Sequence, residues 1–230
     1  MLVGPGEHVA IAATCLKGPG HPSTLREIFP LIRSTEEVLI DLERSSSGPG
    51  YKSQFCEGTL ARGDGEPYLP AAFFNTHADA SVPGVLPGQR WKAAIAGVAL
   101  RWRVVEPRAI DIPAPDWAKA IDLPMPDGRL KLDASQMSVW LPSDRFIDVV
   151  QFGGEIVEQR FIGASLFGQP AWRTIVAVSR EAPDMFLPFI VTAHVLVGEK
   201  TPAVGDQIEG LAWLQGRMVE KIGDLWRLRQ

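Results

Sequence analysis

The chain has 230 residues, of which 46% are hydrophobic and 22% charged, and its formal net charge is −4. This composition excludes global disorder, which goes with few apolar residues and strong net charge. The acidic balance excludes a general attraction for nucleic-acid phosphates, and no run of four Lys or Arg residues supplies a local basic patch.

The first half of the chain reads as short strands joined by turns. The apolar run Val9–Leu16 lies between two Gly-Pro-Gly sequences, which predicts a buried strand. Thr24 and Glu27 fit a helical capping box, and Pro30 limits that helix to a turn or two. Residues 91–105 carry apolar side chains at period two, which predicts a further strand.

Residues 106–134 form the clearest compositional break. Five prolines in this segment exclude a long helix and a central strand, because proline lacks an amide donor. The segment therefore reads as a semi-rigid connector with one helical turn at residues 116–121. The predicted divisions are an N-terminal β-rich unit (1–106), a Pro-rich connector (107–134) and a C-terminal β-rich unit (135–230).

The second half is more plainly β. Strands are predicted at residues 147–151, 174–179 and 189–197, and Gly153-Gly154 has the composition of a hairpin turn. The predicted fold class is mainly β, with two β-rich units (small barrels or sandwiches) and a few short helices. The phrase VGDQIEGLAW resembles strand-turn segments of OB-type barrels, but over ten residues it identifies no family.

The two halves share a weak internal sequence similarity, which we call the echo. In both halves an apolar strand, a histidine, a turn glycine and a second strand follow in the same order. The aligned pairs are His77 with His194, Gly88 with Gly205, and Gly97 with Gly210. The echo predicts either a degenerate duplication or a chance likeness between turn-rich β segments.

The chain carries little recognisable catalytic chemistry. It has no GxSxG, no phosphate-binding glycine loop and no short metal-ligand spacing, and Cys15 and Cys56 are too far apart for a CxxC pair. No cofactor and no metal are predicted. His77 and Asp79 form a local His–carboxylate pair, which is the basis of a hydrolase alternative. The apolar surroundings of His194 predict a buried, neutral, structural histidine with a depressed pKa.

Seven tryptophans are many for this length. Trp102 stands between Arg101 and Arg103, which favours a surface position for stacking, and Trp117 in the connector is a second candidate contact. These four residues are the predicted binding residues.

The preferred hypothesis is a cytoplasmic, non-enzymatic binding or protein-interaction module. The alternatives are the hydrolase and single-stranded nucleic-acid binding by an OB-like barrel. A protein partner or small ligand is favoured over nucleic acid, and a homo-oligomer is allowed. No membrane association is predicted, since no apolar stretch approaches the roughly 18 residues that span a bilayer.

Overall fold

The chain is described by a computed structural model, which confirms the mainly β fold. The structure describes residues 2–3, 9–16, 24–32, 36–47, 54–63, 65–76, 85–106, 109–113, 129–133, 139–164, 169–179, 185–198 and 200–225. A 3-10 helical turn spans Ala193–Val195. The strands are β1 (Leu2–Val3), β2 (Val9–Leu16), β3 (Thr24–Ile32), β4 (Glu37–Ser47), β5 (Gln54–Ala61), β6 (Pro67–Asn75), β7 (Gln89–Val104), β8 (Ala109–Pro113), β9 (Arg129–Asp133), β10 (Val139–Pro142), β11 (Val149–Ala164), β12 (Pro170–Ala177), β13 (Phe186–Thr192) and β14 (Gln207–Asp224).

Nine of these strands form one sheet in the order β10-β11-β12-β13-β7-β14-β6-β5-β4. Further pairings of β11 with β14 and of β7 with β4 close this sheet on itself twice. The N-terminal circuit is β4-β5-β6-β14-β7, and the C-terminal circuit is β11-β12-β13-β7-β14. Because both circuits use β7 and β14, they belong to one sheet, and the predicted division into two units joined by a connector stays a prediction.

The shared strands are long because each serves two sets of neighbours. β7 and β14 pair antiparallel from Gln89↔Asp224 to Val104↔Ile208. The other edge of β7 binds β4 with residues 89–94 and then β13 with residues 97–98. β14 likewise binds β11 with residues 207–213 and β6 with residues 215–216. β7 and β14 therefore each form part of both circuits.

The two halves make corresponding pairings. In each half the first of four strands pairs antiparallel with the second and with the fourth, and the second pairs with the third. The third strand, β6 or β13, runs parallel to the long strand of the other half. This correspondence concerns strand pairing alone, and duplication of the sequence stays a prediction.

Glycines mark the turns and crossings of this arrangement. Gly88 and Gly205 precede the two long strands with φ of +79° and +88°, a conformation that favours glycine. At Gly97 a Cβ atom would lie 2.4 Å from the ring of Phe189 on the parallel neighbour. Gly216 stands in the same relation to a phenylalanine of β6, whereas Gly210 faces a backbone carbonyl. Gly97 thus shares its setting with Gly216 and not with its predicted equivalent, Gly210.

Large apolar side chains fill the interior of both circuits. Trp102, Phe152 and Phe189 are fully buried in the C-terminal circuit, where the two phenylalanine rings stack with centroids 4.3 Å apart. Phe73 and Trp91 occupy the N-terminal circuit. Each such side chain contributes about 1.5–3 kcal/mol by leaving water, so these rings stabilise the closed sheet.

Several local predictions are wrong. Thr24–Ile32 is a strand paired with β2, not a capped helical turn, because tertiary pairing outweighs a short capping signal. Gly153 and Gly154 do not form a hairpin turn and lie inside β11. There a Cβ on Gly154 would come 2.2 Å from the carbonyl oxygen of Ala177, so close approach of β12 explains the glycine.

Two further regions differ in detail. The predicted strand at residues 189–197 ends at Thr192, and the 3-10 turn follows it. Within the connector, the described residues form an antiparallel pair, Ala109–Pro113 with Arg129–Asp133. The predicted helical turn at residues 116–121 lies outside the described residues.

Candidate binding cleft

The predicted RWR surface site is not assembled. Trp102 has no exposed surface, so its predicted surface position is wrong. The pairing of β7 with β14 shifts register between Ala99 and Arg101, which turns Trp102 into the core and leaves Leu100 49% exposed. Arg101 and Arg103 remain exposed, and Arg103 is ion-paired with Glu209. Trp117 lies outside the described residues.

The histidine predictions fare differently from one another. His194 is exposed in the 3-10 turn, with Nδ1 2.8 Å from the hydroxyl oxygen of Thr192. Its predicted burial is wrong, because the strand ends before it. His77 and Asp79 lie outside the described residues, so the hydrolase alternative is untested.

A concavity of about 400 Å³ opens between the start of β6, strand β10 and the end of β12. We call it the β6–β10 cleft. Its walls are mostly aliphatic and aromatic, with two hydroxyl groups among them. The lining residues are Tyr68, Leu69, Val139, Trp140, Leu141, Val178 and Ser179.

Strand pairing explains why these residues meet. β12 ends opposite Glu155 of β11, and β10 continues along β11 from Gly153. Val178 and Ser179 therefore follow β12 toward the start of β10. On the other wall, β6 is hydrogen-bonded to β14 at its C-terminal end, at Phe74 and Asn75. The earlier residues of β6 face β10 across the cleft.

Trp140 joins the two walls. Its indole Nε1 donates a hydrogen bond to the backbone oxygen of Pro70 at 2.6 Å, and the side chain is 9% exposed. The hydrogen bond satisfies a polar group that would be costly to bury unpaired. It also fixes the indole plane, so Trp140 is a rigid wall of the cleft.

The polar part of the cleft is a hydroxyl pair. The hydroxyl of Ser179 donates to the Tyr68 phenol oxygen at 2.7 Å, and Ser179 is buried. The guanidinium of Arg62 lies 4.4 Å from the centroid of the Tyr68 ring, a cation–π distance. No histidine or carboxylate is among the described lining residues, so the cleft has polar groups for orientation and no evident general base.

An apolar rim continues from the cleft along the β10–β11 connection. Leu141, Phe146 and Ile147 are 56%, 63% and 49% exposed. Ile147 and Pro142 also line a small cavity next to Trp140. Large apolar side chains grouped at a surface are typical of interaction sites.

Away from the cleft, Arg90, Asp41 and Cys56 are ionisable groups with little exposed surface, and their contacts are those of structural residues. Arg90 holds Asp41 through two hydrogen bonds of 2.6 and 2.9 Å and also donates to the backbone oxygen of Gly65. The hydrogen bond to Asp41 raises the pKa of Arg90. Burial raises the pKa of the Cys56 thiol to about 12, so this thiol is not a ready nucleophile.

Neither a metal site nor a membrane span is evident in the part of the chain that the structure describes. There, no group of three or more His, Cys, Asp or Glu side chains could hold a metal ion. Within the same residues, no helix combines the length and the apolarity needed to cross a membrane.

The sequence alone did not indicate the cleft. Trp140 and Tyr68 belong to different halves of the chain, and only the closed pairing of the sheet brings their strands together. The one available signal was the surplus of tryptophans, which did not distinguish Trp140 from core residues.

The chain matches no protein-family model, no curated protein and no solved structure. A functional proposal therefore rests on its own side chains.

Proposed function

We propose that this protein is a non-catalytic binding protein and that the β6–β10 cleft is its binding site. The observation that supports this most directly is the cleft itself, about 400 Å³ with mostly apolar walls and a convergent hydroxyl pair. Ligand sites in proteins commonly measure about 300–1,000 Å³ and combine apolar walls with a few polar groups that orient the ligand.

The lining favours an apolar group, aromatic or branched aliphatic, that carries at most one hydrogen-bonding function. Trp140 and Leu141 offer contact surface, and desolvation of that surface supplies the binding free energy. The hydroxyls of Tyr68 and Ser179 form the polar part of the lining, beside which a hydroxyl or carbonyl of the ligand would lie.

Nucleic-acid binding receives less support. The ring that was predicted to stack on a base, Trp102, is in the core, and Glu209 neutralises Arg103. Stacking platforms for single strands need exposed aromatic faces beside unpaired cations.

The proposal is tested by NMR on the indole N–H of Trp140. We expect para-cresol, an aromatic ring with one hydroxyl, to shift this resonance in a saturable way, because the indole lines the cleft. The Trp140→Phe variant assigns the resonance. Leu141→Asp should weaken the binding, since a carboxylate at the wall opposes an apolar ligand.

Val204→Asp is the matched control, because Val204 is 61% exposed, close to the 56% of Leu141, and is not among the cleft residues. It should leave the titration unchanged. A Trp140 resonance that does not respond to para-cresol in the monomeric chain, or that responds equally in Leu141→Asp, would contradict the proposal.

A further inference from the structure

Phe146 is the most exposed large hydrophobic side chain in the part of the chain that the structure describes, at 63%. It belongs to the six-residue connection, residues 143–148, that joins β10 to β11. Leu141, a wall of the β6–β10 cleft, lies in β10 two residues before this connection. An aromatic knob and an apolar concavity therefore occupy neighbouring positions.

Local hydrogen bonds hold this connection in place. The hydroxyl of Ser143 accepts from the backbone N–H groups of Arg145 and Phe146 at 3.2 and 3.3 Å. The Ser143 N–H donates to the oxygen of Val149 at 2.8 Å, and the Val149 N–H donates to the oxygen of Phe146 at 3.1 Å. Phe146 is thus presented on an ordered backbone, which lowers the entropy lost when it binds.

The surface beside Phe146 carries one negative and one positive side chain. Asp144 and Arg145 are adjacent, both are exposed, and neither is ion-paired within the described residues. If two copies of the connection meet across a two-fold axis, the acid of each copy can face the base of the other. A surface that carries both signs in this way fits a second copy of itself.

We propose that the chain forms a two-fold symmetric dimer in which Phe146 of each copy enters the β6–β10 cleft of the other; this rests on the proposed function of the cleft. The cleft, at about 400 Å³, has room for a phenyl ring. Asp144 of one copy pairs with Arg145 of its partner at the rim. In a two-fold interface the same surface of each copy must carry both the protruding side chain and the cleft that receives it. β10 contributes to the cleft, and the connection after β10 carries Phe146.

Sedimentation equilibrium from micromolar to near-millimolar chain concentration tests the dimer. The wild-type chain should show a concentration-dependent monomer–dimer equilibrium. Truncating one buried aromatic anchor commonly weakens an interface about 30-fold, and Phe146→Ala removes two, so its dissociation constant should rise about a thousand-fold. Val204→Ala, at a similarly exposed site, should dimerise like the wild type.

Charge reversal gives the sharper test. Asp144→Arg and Arg145→Asp each place like charges opposite one another and should weaken the dimer, whereas the double variant restores opposite charges and should recover it. A monomeric wild type over the whole range overturns the proposal. So does a dimer that keeps its affinity in Phe146→Ala, or a double variant no better than either single variant.

These outcomes are separable from those of the proposed function. A monomer whose Trp140 resonance responds to para-cresol overturns the dimer and keeps the cleft as a binding site. A cleft that does not respond in the monomeric Phe146→Ala variant, which leaves it open, contradicts the proposed function itself. Far-ultraviolet circular dichroism of each variant verifies that its fold is retained.

Discussion

Replacing Gly97 with alanine tests the close parallel crossing of β13 and β7. The new Cβ atom would lie 2.4 Å from Cδ1 and 2.5 Å from Cε1 of Phe189, well inside van der Waals contact. The Phe189 ring has little room to retreat, because it is fully buried and stacks on Phe152. Overpacking of this kind costs about 1–3 kcal/mol. The lower backbone entropy of alanine in the unfolded chain offsets about 0.5–1 kcal/mol.

We therefore expect Gly97→Ala to lower the free energy of unfolding by about 1–2 kcal/mol. Urea denaturation followed by tryptophan fluorescence measures this as a lower midpoint at unchanged slope. Gly153→Ala is the matched control, since it also lies within a long strand and its Cβ would meet no atom closer than 3.4 Å. That variant should match the wild type or exceed it.

A second substitution separates the ring contact from a general effect of alanine. Phe189→Leu shortens the side chain that Gly97→Ala presses against, so the double variant should lose less stability than the sum of the two single variants. Equal midpoints for Gly97→Ala and Gly153→Ala, or strict additivity in the double variant, would refute the reasoning.

The other predictions concern ionisable groups, two of them buried and one exposed. Asp41→Asn should lower the free energy of unfolding by about 3–5 kcal/mol, because it removes a buried carboxylate that is the charged partner of the largely enclosed Arg90. Glu209→Gln, which breaks an exposed pair, should cost less than about 1 kcal/mol in the same urea assay. The Cys15→Ser variant leaves Cys56 as the single thiol. At mildly alkaline pH, Cys56 of the folded variant should react with iodoacetamide far more slowly than Cys56 of the urea-unfolded variant, because burial raises its pKa to about 12. Equal rates would contradict this.

The sequence predicted strand content well and strand partners poorly. Alternation and Gly-Pro turns are local signals, so the strand at residues 91–105 was located to within two residues of Gln89–Val104. The predicted side-chain orientation was wrong at Trp102, because a single β-bulge reverses which side chains after it face the core. Where a bulge occurs depends on the neighbouring strand.

The same limit explains the misplaced histidine and the missed cleft. His194 lies in an apolar run whose composition is typical of a strand throughout, whereas strand pairing in the structure stops at Thr192. Tyr68 and Ser179 lie 111 positions apart and meet through a hydroxyl hydrogen bond. No periodicity within one strand encodes a contact between strands of different halves, so the site depended on topology that the sequence pattern does not express.

The shared pair of long strands has a consequence for how the chain reaches its fold. Gln89 pairs with Asp224, which lies 135 positions later, so the antiparallel ladder joins segments that are far apart in the chain. Each circuit needs one strand from the other half of the chain. The entropic cost of closing so long a loop must therefore be overcome before either apolar core is shielded from water. Folding should consequently be slow and all-or-none, because the pairing of the eighteen residues of β14 completes both circuits at once.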